Sequence, residues 1–125
     1  MEADTSVADA VEDEINSYRR GFGDPIRLLA LVRQSVLLVP LDDAGMPFTG
    51  RVREVDWLPV FTRLDQYTAY LAARDREAGD YQALTGFAVV DELLPRFGDR
   101  VGLVINPAGD APFAFPWIAL RDDLP

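Results

Sequence analysis

Apolar residues near the start of the chain recur at Val7, Val11, Ile15, Tyr18 and Phe22, at spacings of four, four, three and four. That rhythm is one face of a helix over about 7–20, with acids on the opposite side. Residues 1–5 read as a loose acidic start, and Ser6 with Asp9 as a capping box. Gly21 and Gly23 stop the helix. Asp24-Pro25 opens a second one, with Asp as N-cap and Pro at the first helical position. Ile26, Leu29, Ala30 and Val32 carry it to about Ser35.

The period then shortens. Val36-Leu37-Leu38-Val39 is an apolar, β-branched-rich run, which predicts a buried strand ended by Pro40. Residues 41–56 form the longest irregular stretch, with a turn at Leu41–Pro47 and an alternating edge strand at Arg51–Val55. Trp57-Leu58-Pro59-Val60-Phe61 is the next strand. Pro59 cannot donate to a ladder, so its nitrogen is expected to face an edge or a bulge. Thr62 is placed to cap a following helix, with Asp65 in its first turn and Leu64, Tyr67, Thr68 and Leu71 on its inner face.

A charged turn at Arg74–Asp80 leads to a strand at Tyr81–Thr85 and a short helix over about 87–96, marked by Val90, Leu93, Leu94 and Phe97, in which Pro95 falls late enough for the helix to end before it. Val101–Asn106 is the clearest core strand. Asn106-Pro107-Ala108-Gly109-Asp110 is turn chemistry. Phe113-Ala114-Phe115-Pro116-Trp117 alternates large and small, so it reads as a last strand with three aromatics on one face.

These elements predict one mixed α/β (α+β) domain, a four- to six-stranded sheet packed by about four helices. The strand–helix–strand units at 57–85 and 81–106 favour parallel neighbours, and the turn after 106 an antiparallel hairpin. Residues 1–5 form a flexible acidic terminus, 6–24 the acidic helix and its turn, 25–118 the α/β domain and 119–125 a polar end.

Composition narrows the chemistry. Among 125 residues there is no His, no Cys and no Lys, so all 12 basic residues are Arg. Disulfides, thiolate nucleophiles, Schiff bases, imidazole acid–base catalysis and the commonest transition-metal ligands are thereby excluded. Six of the 21 acids lie in residues 1–17, which hold no base, so the net charge of −9 is mostly N-terminal. Anionic partners would be repelled, which argues against nucleic acid and against a membrane surface. No signal peptide and no apolar run of about 20 residues is present, so the expected location is cytoplasmic.

Each chemical candidate has a structural counterpart. Asp42-Asp43, with Asp56 or Asp110, could hold a cation, but the spaced pattern of a calcium loop is absent and a solvated turn explains them. Asp91 and Glu92 diverge by about 100° on a helix and form no carboxylate dyad. Gly21–Pro25 lacks the phosphate-loop pattern and follows no strand. Ser6, Ser17 and Ser35 have no base to activate them. Trp57, Phe61, Phe113, Phe115 and Trp117 form either core or a binding patch. Arg51, Arg53 and Arg63 either recognise an anion or pair locally. The acids Glu12, Asp13 and Glu14 of the first helix form either a solvated face or a surface for a basic partner.

Leu37-Leu38-Val39-Pro40, then Trp57-Leu58-Pro59-Val60-Phe61-Thr62 entering an Asp-Gln-Tyr helix, then Val101–Pro107 and an aromatic-Pro strand, resemble the SseB protein N-terminal domain family. The all-Arg acidic composition is similar to actinobacterial members. The resemblance spans about residues 25–118, leaves the acidic first helix outside it, and brings no catalytic motif and no site residue.

The resulting expectation is a non-enzymatic protein-interaction module with no cofactor and no metal, acting on an unidentified protein partner. The narrower versions are an accessory, chaperone-like or immunity-type protein for a secreted client. The alternative is a small-ligand-binding regulatory domain or carboxylate/Arg-based enzyme, in which Thr62, Asp65 and residues 106–112 converge on a cleft at the strand ends. A homodimer through the aromatic strand is a further expectation.

Overall fold

The computed structural model describes residues 2–52, 54–73, 80–97, 101–109 and 112–116. Arg53, the turn residues 74–79, Asp110, Trp117 and the polar end 119–125 lie outside the described residues. The chain folds as a mixed α/β structure: α1 (Glu2–Arg19), α2 (Pro25–Gln34), β1 (Val36–Pro40), β2 (Gly50–Val52), β3 (Val55–Val60), α3 (Leu64–Ala73), β4 (Tyr81–Thr85), a π-helical turn (Ala88–Leu93), a 3-10 turn (Leu94–Phe97), β5 (Val101–Ile105) and β6 (Phe113–Phe115).

Helix α1 begins at Glu2, so there is no loose start and no capping box at Ser6; the helix runs through both. Acids crowd its first turns, where the exposed N–H groups of a helix favour negative charge. Its end follows from Gly21, which takes φ +89°. Phe22 N–H reaches the Ser17 carbonyl and Gly21 N–H the Tyr18 carbonyl, which is the Schellman closure. The apolar contact that usually completes this motif would join Phe22 to residue 17, and that residue is Ser. Phe22 is therefore 84% exposed rather than part of the inner face. Val11 and Ile15 are fully buried, as the periodicity predicts.

Asp24 caps α2 by accepting from Ile26 N–H at 2.9 Å, and Pro25 is its first residue. The buried face is Leu28, Leu29 and Val32; Ile26 is 81% exposed and Ala30 is exposed, so the stripe is rotated from the expected one. In α3 the rotation recurs: Tyr67, Tyr70 and Leu71 are buried, whereas Leu64 and Thr68 face outward.

A four-stranded sheet has the order β2-β3-β5-β6, and β1 and β4 form a separate antiparallel pair. The expected edge strand at 51–55 is instead a hairpin: β2 ends at Val52, Glu54 turns the chain at φ 68°, and β3 starts at Val55. The parallel pair is β3 with β5, and β6 closes antiparallel on β5. Strand β4 joins neither of the parallel partners expected for it, because it lies against β1 with Val36 opposite Thr85 and Pro40 opposite Tyr81.

Leu38 and Phe61 exchange backbone hydrogen bonds of 2.8 and 3.1 Å, which tie the two sheets together. Trp57 pairs with Gly50 on the same side of β3. Pro59 lies between these two contacts, and by the period of two its nitrogen points into the gap between β2 and β1. The missing donor is therefore not needed there.

The main core joins α1, α2, the π-helical turn and β1, β3, β5 and β6 through residues such as Ile15, Leu28, Leu37, Leu58 and Leu103. Phe61, Tyr67, Tyr70 and Leu71 form a smaller cluster under α3, with Leu38 against it. Gly102 makes the sheet close-packed: a Cβ there would lie 2.5 Å from a Trp57 ring carbon and 2.8 Å from the Phe115 carbonyl oxygen. The π-helical turn after β4 ends at Leu93, before Pro95, and helical backbone continues to Phe97 only as a 3-10 turn. Leu94 N–H reaches back to the Val89 carbonyl, a wide turn, and the chain then tightens into a 3-10 turn through Pro95, which has no N–H to extend an α-helical ladder.

Candidate functional site

The C-terminal ends of β3 and β5 lie side by side, the usual location for sites in sheets with parallel strands. Asn106, just past β5, is 2% exposed and adopts φ 52°. Left-handed backbone is tolerated by Asn because its short polar side chain can bond locally. Here it bonds across the strands. Its Oδ1 accepts from Thr62 N–H at 3.1 Å and its Nδ2 donates to Thr62 Oγ1 at 3.0 Å. Asn106 N–H donates to the Val60 carbonyl at 2.9 Å, and Gly109 N–H closes the turn onto the Asn106 carbonyl.

Thr62 is thus no helix cap. Its hydroxyl, already accepting from Asn106, donates to Glu12 Oε2 at 3.0 Å. Arg63 Nε donates to the same oxygen at 2.9 Å, and its Nη2 pairs with Asp9. Burial pulls the Arg63 guanidinium down, but the hydrogen bond and charge of Glu12, with Asp9 behind it, outweigh that, so its pKa is raised. A latch of Asp9, Glu12, Thr62, Arg63 and Asn106 fastens α1 over the strand ends. Charge-assisted bonds of this kind are stronger than neutral ones.

Glu14 does similar work at the other end of α1. It accepts from Asp24 N–H at 2.9 Å and from Arg27 Nε at 3.3 Å. Of the three acids read from sequence as solvated face or partner surface, two are intramolecular ties, and Asp13 is exposed. The aromatics also spread apart. Phe61 is buried with ring centroids 5.2 Å from both Tyr67 and Tyr70. Phe115 is buried, and Phe113 is half-buried between Tyr18 and Phe115 at 5.1 and 4.8 Å. Trp57 is half-buried against Gly102. These residues do not form one surface.

Asp42 accepts from Ala44 and Met46 N–H groups at 2.9 and 3.0 Å, organising its own turn, and Asp56 pairs with Arg51 at 3.1 Å. Arg33 and Asp91 make a two-bond pair at 3.0 and 3.2 Å between α2 and the π-helical turn.

Beside the latch opens a cleft of about 430 Å³, lined by Ala8, Val36, Leu38, Thr62, Arg63 and Leu64, with Asp65 and Tyr81. Residues directly opposite in an antiparallel pair share a face, so Val36 and Leu38 of β1 continue into Thr85 and Ala83 of β4. Tyr81, at 42% exposure, packs its ring 5.5 Å from Tyr67, so α3 covers one end of this face. Leu64, 53% exposed, stands at the rim. The floor is apolar. The rim is acidic, because Arg63 already faces Asp9 and Glu12, while Asp65 and a 61%-exposed Asp9 side chain look outward.

Sequence reasoning places Thr62, Asp65 and residues 106–112 on one cleft; Thr62 and Asp65 line it, whereas the described residues of 106–112 do not. It missed Ala8, Val36, Leu38 and Tyr81, whose meeting depends on the β1–β4 pairing. Asn106-Pro107 was the one local signal for the latch. Comparison with protein-family models, curated proteins and solved structures found no match to this chain.

Proposed function

We propose that this chain is a non-enzymatic protein-interaction module of the SseB N-terminal-domain type, working without a cofactor in the cytoplasm. The observation that carries this reading is the partly exposed face of β1 and β4 beside the cleft, half-buried at Val36 and Leu38, with Leu64 and Tyr81 exposed at its margin. Large exposed apolar side chains clustered around a concavity mark interaction surfaces more often than scattered ones do. The strand segments behind the family resemblance, 37–40, 57–62 and 101–107, are β1, β3 and β5 with their exits, so they bear on scaffold rather than chemistry.

An accessory or immunity-type role for a secreted client is a narrower form of this proposal, tested by its gene neighbours. The test of the module itself is capture on the immobilised chain at native abundance, with Leu64→Asp/Tyr81→Ser alongside. A partner recovered by the native chain and lost with the variant supports it; equal recovery by both counts against this face.

A second reading has its own observation. The cleft volume and the convergence of Thr62, Arg63 and Asp65 suit a small regulatory ligand. Native mass spectrometry of the freshly purified chain separates the two, since a stoichiometric small-molecule adduct favours the ligand reading.

A further inference from the structure

Backbone polarity makes β4 different from the other sheet edges. Because Leu38 exchanges hydrogen bonds with Phe61, alternate residues of β1 turn their backbone groups toward β4. Gly86 N–H reaches the Ser35 carbonyl and Leu41 N–H the Asp80 carbonyl, fixing the phase of that ladder. Gln82 and Leu84 therefore bond to β1, and the N–H groups of Tyr81, Ala83 and Thr85 point away from it. Among the described residues no strand pairs with this outer edge.

Open edges invite a further strand, and proteins blunt them with shortness, charge or Pro. β2 has three residues and carries the Arg51–Asp56 pair. β6 has three residues bounded by Pro112 and Pro116. β4 has five, Tyr-Gln-Ala-Leu-Thr, with no charge and no Pro. The side chains of Tyr81 and Ala83 share the face that leads to the cleft, where Asp9, Glu12 and Asp65 stand against the single cation Arg63 and leave the rim net negative.

We propose that β4 is a recruitment edge: an extended segment of a partner protein adds to it as a strand, lays apolar side chains toward Leu38 and Leu64, and sets a Lys or Arg against Asp9 and Asp65. Main-chain bonds would supply affinity, and alternate side chains and charge would supply specificity. A second copy of this chain suits the edge poorly, since each copy brings a net charge of −9 and the same acidic rim. This inference rests on the interaction-module reading and names its surface and its partner chemistry.

The test uses the full chain, isotope-labelled, with two capped heptapeptides of alternating Val and Thr, one with Lys at both ends and one with Glu. The Lys-ended peptide is expected to shift the amides of Tyr81, Ala83 and Thr85 most and to bind about tenfold more tightly than the Glu-ended one. Asp9→Asn with Asp65→Asn should remove that preference. Ala83→Pro, which deletes an outward N–H that the β1 ladder does not use, should abolish binding while the far-UV dichroism is retained. Should that variant not fold, the shift map and the Lys-against-Glu contrast on the native sequence still decide.

Equal binding of the two peptides, shifts confined to another surface, no binding up to about 1 mM, or self-association that Ala83→Pro removes would each overturn the proposal. If Ala83→Pro still captures the native partner, this edge is wrong and the module reading stands; if the native chain captures none, that reading falls as well.

Discussion

Replacing Asn106 separates the two roles that this residue plays at the strand ends. Its side chain makes two hydrogen bonds to Thr62, and its backbone sits at φ 52° in a site only 2% exposed. Asn106→Ala deletes both bonds, each worth about 1 kcal/mol net, and strands the Thr62 N–H. It also puts a residue with no local polar compensation into left-handed backbone, at about 1 kcal/mol more. The expected loss is about 3 kcal/mol. Asn106→Gly loses the same bonds but adopts the backbone freely, so after its extra unfolded-state entropy it should be the less damaging change by about 0.5 kcal/mol. In ordinary extended backbone the order is reversed, with Gly worse than Ala by about 0.5–1 kcal/mol. Urea unfolding of the three proteins, compared at unchanged m-value, reads this directly. Glycine equal to or less stable than alanine at this position would refute the geometry assigned to the latch.

Gly102→Ala should cost about 1–3 kcal/mol, because the Trp57 ring and the Phe115 carbonyl both stand where the methyl group would go, and Trp57 fluorescence should shift as its ring is displaced. Phe22→Ser with Ile26→Ser should change stability by no more than about 0.5 kcal/mol per site, since both side chains are more than four-fifths exposed; a large loss on thermal melting would return them to the core. A double-mutant cycle on Arg33 and Asp91 should give a coupling of about 1 kcal/mol that falls with added salt, as expected for a half-buried two-bond pair; no coupling would mean that the pair does not hold α2 to the π-helical turn.

Local signals in the sequence were read well where the structure solves a local problem. Asp24-Pro25 starts a helix because the cap bond spans two residues, and Gly21 ends one because its conformation is its own. Val101–Ile105 is a core strand because four of its five residues are buried, which an apolar run announces. Failures cluster where partners are distant. Thr62 has the residue type and position of a cap, but Glu12 and Asn106, 50 and 44 residues away, take its hydroxyl. No periodicity in Tyr81–Thr85 says that its neighbour is β1. Phe22 keeps the helical rhythm, yet the rhythm outlasts the helix by one turn. The acids of α1 were legible as charge and not as ties, since their use depends on Arg63 and on the start of α2. Of the cleft, Thr62 and Asp65 after β3 are legible in the sequence; residues 106–112, expected beside them, do not line it among the described residues, and those from α1, β1 and β4 are set by distant contacts, the latch for α1 and the mutual register for β1 and β4.

Amide hydrogen exchange along β4 in the isolated chain tests the central claim, an outer edge that no strand among the described residues pairs with, beside a partly exposed apolar face. The account predicts alternation: slow exchange at Gln82 and Leu84, which bond to β1, and fast exchange at Tyr81, Ala83 and Thr85, which point outward. Slow exchange at all five would mean that the edge is already occupied within the chain or by a second copy, and would contradict it.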